Sequence, residues 1–265
     1  VSHILLTNDD GIAAPGLRAL LQAIAPLARV TVFAPDHNWS AAGHTKTMHK
    51  PLRVRTYRGD PLLDDGDGRV EAYTTTGTPS DCVALALLGL IPERPDLVVS
   101  GINQGPNLGH DLTYSGTVAA AMEAVIAGLP AMAVSLDSYE YYDFSHAAKV
   151  AARVVAPVLR RGLPEGMLLN VNVPARTPDE MAGVAITRLG RRVYRDLLVE
   201  RRDPRGQPYY WIGGEPPSGH LDEGTDIWAV AHGYVSITPV ELDLTAHRFI
   251  PTLKGWDLES CLDSG

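Results

Sequence analysis

Short apolar runs alternate along this chain with segments whose apolar residues recur at helical spacing, and the apolar runs end in polar loops. That order predicts strands joined by helical crossovers. The expected fold class is therefore α/β: an open, mostly parallel Rossmann-like sheet with helices on both faces. Residues 3–6 read as a buried strand entering the loop Thr7-Asn8-Asp9-Asp10. Pro15 suits the first turn of a helix, where its missing N–H is not needed. Leu17, Leu20, Leu21 and Ile24 continue that helix on one face. Further strands are expected at 30–34, 97–99, 131–136, 168–173 and 184–187. Further helices are expected to start at Pro79-Ser80-Asp81, at Gly116-Thr117 and at Ser145. Gly89 is expected to stop the first of these, and Pro157 to end or kink the last. Residues 51–76 are less regular: Val54 and Tyr57 fit strands, while Asp60-Pro61 and residues 64–68 read as turns.

The chain has 265 residues, 45% of them hydrophobic, which is enough for one substantial core. Lys plus Arg is 23 against 31 for Asp plus Glu, a net charge of -8. An acidic average disfavours loose attraction to nucleic acid, so no stable nucleic-acid partner is expected. A phosphate substrate stays open, because a bound cation reverses the local field. Cys82 and Cys261 form no metal-binding pair and read as reduced thiols, Cys82 in core packing. No apolar run approaches the roughly 18 residues of a membrane helix, and the start lacks the charged region of a secretory signal. No membrane contact and a cytoplasmic location are expected. Arg188, Arg191, Arg192, Arg195, Arg201, Arg202 and Arg205 are interspersed with acidic residues, which reads as an exposed arm or subunit contact. Tyr209, Tyr210 and Trp211 are candidates to pack it. Pro216-Pro217-Ser218-Gly219 reads as a turn, and Val235, Ile237 and Val240 as a later strand.

In an α/β sheet the polar loops converge at the carboxyl ends of the parallel strands. Asp9 and Asp10 occupy the first such junction; Asp36, Asn38 and Ser40 the second; Ser100, Asn103 and Asn107 a third. Adjacent carboxylates repel unless a cation or strong donors lie between them. Asn and hydroxyl oxygens complete a hard-cation shell, so Mg²⁺ or Mn²⁺ fits better than a soft Cys/His metal. Ser115-Gly116-Thr117 offers N–H groups and hydroxyls to a phosphate at a helix start, beside the plainer reading of a helix cap. There is no nucleoside-triphosphate phosphate loop, no dinucleotide fingerprint and no Gly-x-Ser-x-Gly nucleophile elbow. His37, His44 and His110 lie near these loops, either as donors to a substrate or as plain loop residues. Trp39 and Tyr114 are better placed to line a nucleotide pocket than to carry phosphoryl transfer.

Taken in order, several blocks resemble the stationary-phase survival protein E (SurE) nucleotidases. They are Thr7-Asn8-Asp9-Asp10-Gly11, Ala34-Pro35-Asp36 with Asn38 and Ser40, Gly77-Thr78-Pro79-Ser80-Asp81, Ser100-Gly101-Ile102-Asn103-Gln104-Gly105-Pro106-Asn107, Tyr114-Ser115-Gly116-Thr117-Val118, Asn170-Val171-Asn172-Val173-Pro174 and Gly233-Tyr234-Val235-Ser236-Ile237-Thr238-Pro239. The resemblance implies divalent-metal-dependent hydrolysis of nucleoside 5′- or 3′-monophosphates. It implies one cation, Mg²⁺ or Mn²⁺, on Asp9, Asp10, Ser40 and Asn103, with Asn107 and Ser115-Gly116-Thr117 at the phosphate. Asp9, Asp10, Asn107 and Ser115 would then be the catalytic group. A short-chain exopolyphosphatase and a nucleotide-binding regulator without catalysis are the alternatives. The resemblance also implies a homodimer or homotetramer with exchanged C-terminal structure. The expected organisation is a catalytic α/β core over 1–187. Residues 188–265 would hold a C-terminal extended oligomerisation arm, a late strand and the exchange segment, without forming a clearly independent domain. His37, Trp39, Ala41-Ala42 and Ala119 depart from the usual family residues, which bears on substrate preference and loop geometry.

Overall fold

The computed structural model describes residues 1–58, 70–140, 143–214, 218–256 and 258. The turns expected at Asp60-Pro61, 64–68 and Pro216-Pro217, and Cys261, lie outside the described residues. The first half contains β1 (His3–Thr7), α1 (Pro15–Ile24), β2 (Arg29–Pro35), β3 (Val54–Thr56), β4 (Val70–Thr75), α2 (Pro79–Leu85), β5 (Leu97–Gln104) and α3 (Gly116–Ile126). The second contains β6 (Ala131–Asp137), α4 (Ser145–Arg161), β7 (Met167–Pro174), β8 (Gly183–Ile186), β9 (Arg192–Val193), β10 (Asp196–Arg202) and β11 (Pro208–Gly214). It ends with β12 (Ser218–Gly219), α5 (Asp226–Ala231), β13 (Tyr234–Glu241) and α6 (Ile250–Lys254).

One nine-stranded sheet runs β3-β4-β2-β1-β5-β6-β7-β13-β8. From β4 to β7 every neighbouring pair is parallel. β3 is antiparallel to β4, and β13 is antiparallel to β7 while parallel to β8. The mostly parallel α/β sheet expected from the sequence is therefore what the chain forms. From β1 the chain moves outward through β2 and β4, then returns to lay β5 on the other side of β1. The strand order thus reverses between β1 and β5, and ligands of open α/β sheets bind in the crevice beyond such a reversal.

Alternation along β1 divides the core. Ile4 and Leu6 pack with Leu17, Leu20, Leu21 and Ile24 of α1 and Val155 of α4. Leu5 points the other way, to Cys82 and Val83 of α2 and Val118 of α3. Side chains of successive strand residues face opposite sides, so one apolar run feeds both helix layers. Cys82 is a packing residue there, as expected, and burial pushes its thiol well up.

Several elements differ from the sequence reading. β4 is a genuine inner strand, paired to β2 on one side and β3 on the other. Pro157 does not end α4, which runs on to Arg161. The proline lies near the helix end, and Arg153, whose carbonyl an N–H at 157 would otherwise meet, is solvent-exposed. The 184–187 strand exists as β8, but at the sheet edge against β13. β10 and β11 form a ribbon of their own, on which Tyr209, Tyr210 and Trp211 are exposed and the Tyr209 and Trp211 rings meet edge to face 6.5 Å apart. β13 pairs with β7 across the boundary drawn at residue 187.

Candidate active site

Asp9 follows β1 and lies against the first turn of α3. Thr117 Oγ1 donates to Asp9 Oδ1 at 2.5 Å, and the Thr117 backbone N–H donates to Oδ2 at 3.1 Å. Such closeness requires Gly116: a Cβ added there would stand 2.7 Å from Asp9 Cβ. Ser115 caps the helix, its hydroxyl oxygen accepting from Val118 N–H at 3.1 Å. Burial nevertheless raises the Asp9 carboxyl above its ordinary value, outweighing the Thr117 hydrogen bonds that lower it. Asp10 is pushed up to about 6, first by burial and then by the charge of Asp9.

The second loop joins this pair through Asn38, whose Nδ2 donates to Asp10 Oδ1 at 3.1 Å and whose Oδ1 accepts from Ser40 N–H at 2.7 Å. Trp39 N–H donates to the Asp9 carbonyl at 2.7 Å. On β5 the register against β6 slips between Ser100 and Asn103. Asn103 Nδ2 then donates to the Gly105 carbonyl at 2.8 Å, which leaves its Oδ1 as the group to offer a cation. Asn107 is fixed on every side. Its N–H donates to Asn172 Oδ1 and its Nδ2 to Ser135 Oγ, both at 2.8 Å. Its carbonyl accepts from Asn170 at 2.8 Å and Asn172 at 3.0 Å.

A cavity of about 380 Å³ brings Asp9, Ser40, Asn103, Asn107, Tyr114 and Ser115 together, with Asp111 and Tyr139 also in its wall. Among the described residues its lining contains no lysine or arginine. Asp10 lies outside the lining and meets it at Gln104, whose backbone hydrogen-bonds the Asp10 carboxyl. Thr117 is placed differently from the expected phosphate contact: it is fully buried and both its donors go to Asp9. Gly116 likewise lies under Asp9, outside the lining. Trp39 does not line the cavity; its ring packs 4.9 Å from that of His37, which itself pairs with Asp36. Among the described residues no group of three or more His, Cys, Asp or Glu converges on a point. A cation here must take Asn and Ser oxygens beside the aspartates, which suits a hard divalent ion.

The sequence reading missed Ser135, Asn170 and Asn172 as supports for Asn107, though two asparagines at alternate positions of a buried apolar strand are a legible signal. It also gave Glu123 no part. Glu123 accepts from Lys46 Nζ at 2.7 Å and lies 3.2 Å from His44 Nε2, tying the Ser40 loop to α3. The His44 hydrogen bond, followed by Lys46, holds its carboxyl below its ordinary 4.5. The stabilisation is complete above that value and is lost as pH falls through the lower folded value. Glu123→Gln should therefore cost about 1 kcal/mol at neutral pH. The difference in thermal midpoint between variant and parent should close in strong acid.

The model of the family described as Survival protein SurE matches residues 4–196. The chain belongs to the SurE family. Among its relatives, the 5′-nucleotidase SurE of Chloroflexus aggregans is 52% identical over 259 residues, covering 97% of this chain and 100% of that one. The 5′-nucleotidase SurE 1 of Thermus thermophilus is 52% identical over 256 residues, covering 96% and 97%. The crystal structure of the SurE protein from Aquifex aeolicus matches with a TM-score of 0.80 at 43% identity, covering 96% of this chain and 98% of that one. The family resemblance drawn from the ordered motifs is thus borne out over nearly the whole chain. No helix among the described residues is long and apolar enough to cross a membrane.

Proposed function

We propose that this SurE protein is a metal-dependent nucleotidase that hydrolyses nucleoside 5′- or 3′-monophosphates to nucleoside and inorganic phosphate, on one Mg²⁺ or Mn²⁺ ion held by Asp9, Asp10, Ser40 and Asn103. The observation that carries the metal site is the carboxylate pair itself. Asp9 is buried and Asp10 is pushed up to about 6, beside a cavity whose lining, among the described residues, holds no lysine or arginine. An anionic substrate would be repelled there unless a cation came with it. Bound, the cation supplies Lewis-acid polarisation of the phosphoryl oxygen and a more acidic water.

The remaining steps fall to side chains. Thr117 and Gly116 hold Asp9 in place. The Ser115 hydroxyl, whose oxygen accepts from Val118, keeps its proton to donate to a phosphoryl oxygen. Asn107 retains the second hydrogen of Nδ2 for the same purpose. A carboxylate of the pair would take a proton of the attacking water as the water oxygen bonds to phosphorus and the ester P–O bond breaks. That proton would pass to the departing nucleoside oxygen, giving nucleoside and inorganic phosphate. Neither a short-chain exopolyphosphatase nor a non-catalytic regulator is favoured, since the relatives above bear the name 5′-nucleotidase.

Phosphate release should be measured across 5′ and 3′ monophosphates and tripolyphosphate, with Mg²⁺, Mn²⁺ or chelator. Release from the monophosphates should require added cation. Binding without release, or a preference for tripolyphosphate, would count against the reading. Protons and the cation compete for Asp10, so cation affinity should weaken as pH falls through about 6, by up to about tenfold per unit.

The same reading includes a homodimer or homotetramer. The β10–β11 ribbon exposes Leu198, Trp211 and Ile212, and the C-terminal stretch exposes Leu244, Phe249 and Trp256. Apolar groups left open on so thin a ribbon are better covered by a second subunit than by water.

A further inference from the structure

Asn107 and Ser115, the two proposed phosphate donors, are joined by a short 3₁₀ turn, Gly109–Thr113. Residues 81 to 117 positions further along the chain grip this turn from outside. Asp226 is fully buried, and its Oδ2 accepts from Gly109 N–H at 2.8 Å while Oδ1 accepts from Gly190 N–H at 2.7 Å. Packing there is close enough that a Cβ on Gly109 would stand 2.6 Å from the Gly190 carbonyl oxygen. Within the turn, Asp111 is held at both oxygens: Arg192 Nε donates to Oδ2 at 2.6 Å and the Tyr194 hydroxyl to Oδ1 at 2.5 Å. The Arg192 and Asp111 side chains are only 9% and 17% exposed. Tyr194, pushed up to about 12 by burial and Asp111, stays a donor at any physiological pH.

Asp111 also lines the substrate cavity. A carboxylate in that wall repels a phosphate dianion unless its charge is balanced and its oxygens are turned away. We propose that Arg192 and Tyr194 are positioning residues for the nucleotidase site: by clamping Asp111 they neutralise an acid in the substrate cavity and fix the turn that spaces Asn107 from Ser115. The inference rests on the nucleotidase reading above. It places a supporting part of the substrate site beyond residue 187. It also links that part to the exposed ribbon, since β10 begins at Asp196, two residues after Tyr194.

The test uses the full chain loaded with Mg²⁺ or Mn²⁺. Arg192→Ala should raise KM for a nucleoside monophosphate about tenfold, or about 1.4 kcal/mol, with kcat held within about twofold. The apparent affinity for the cation should not change. Arg192→Lys and Tyr194→Phe should fall between. The decisive variant is Arg192→Ala with Asp111→Asn: removing the unbalanced charge should bring KM back to within about threefold of the parent. A merely structural role for Arg192 predicts no such rescue. Amide hydrogen exchange over residues 105–117 of the metal-free protein should quicken in Arg192→Ala while residues 131–137 stay protected. An unchanged KM in Arg192→Ala overturns the clamp. A raised KM that persists in the double variant overturns the charge balance, and with unchanged exchange over residues 105–117 it overturns the clamp as a whole. A parent protein inert on every monophosphate would defeat the nucleotidase reading instead. Exchange would then decide the clamp alone, and an unchanged rate over 105–117 would reject it.

Discussion

Asp10→Asn should lower kcat/KM for a nucleoside monophosphate by about 10³-fold, yet raise the thermal midpoint of the metal-free protein. Both effects come from one electrostatic fact. Without a cation, the ionised side chain is disfavoured by burial and by the charge of Asp9, which is why its proton is held up to about 6. The folded value lies above the ordinary 3.8, so the folded chain binds protons more tightly than the unfolded one. Stability of the metal-free parent therefore falls as pH rises from 3.8 through about 6, and the ionised group opposes folding at neutral pH. The amide removes that opposition and, with it, a ligand for the cation. Titration calorimetry should record weaker cation binding, phosphate release the lost turnover, and a melt in chelator the higher midpoint. Parental turnover in the variant with the cation supplied would remove Asp10 from the mechanism.

Gly116→Ala should cost about 10²-fold in kcat/KM, although the change adds a single methyl group. Alanine is the better helix former, by up to about 1 kcal/mol in a helix interior, so helix propensity predicts the opposite sign. What decides the outcome is space: the new Cβ would stand 2.7 Å from Asp9 Cβ and 3.0 Å from its Oδ2. Either Asp9 shifts or α3 backs away, and in both cases the Thr117 hydrogen bonds that aim Asp9 are lost. Circular dichroism should show helix content retained while kinetics show the loss. Parental kcat/KM would mean that the carboxylate tolerates displacement and that its aim is not critical.

Most of the fold could be read from local periodicity, because strands of a parallel sheet are continuous apolar runs and their crossover helices carry one apolar face. β1, α1 and β5 follow from that rule, whereas α3 is buried on nearly every side. β4 was obscured by the turn-rich residues before it and by exposed Glu71, even though Val70 and Ala72 are buried on alternate positions. The polar loops were found because they end predicted strands. What periodicity could not reveal was which partner each polar atom takes. Thr117 looked like a phosphate contact from its place at a helix start, and only the path of Asp9 back onto that helix shows where its donors go. Asp111, Arg192 and Asp226 were likewise invisible, since their contacts join residues far apart in the chain and no local spacing encodes them.

β13 lies between β7 and β8 in the sheet, although β8 precedes it in the chain. On a ribosome, then, β8 emerges with no neighbour to hydrogen-bond, and β7 keeps one edge open until the last strand of the sheet has been made. Closing that gap requires contacts between residues as distant as Met167 and Glu241, the kind of late, long-range pairing that slows folding. A chain halted before Tyr234 would carry two bare strand edges next to the cavity wall that Asn172 supports, making such a fragment prone to stick to its neighbours.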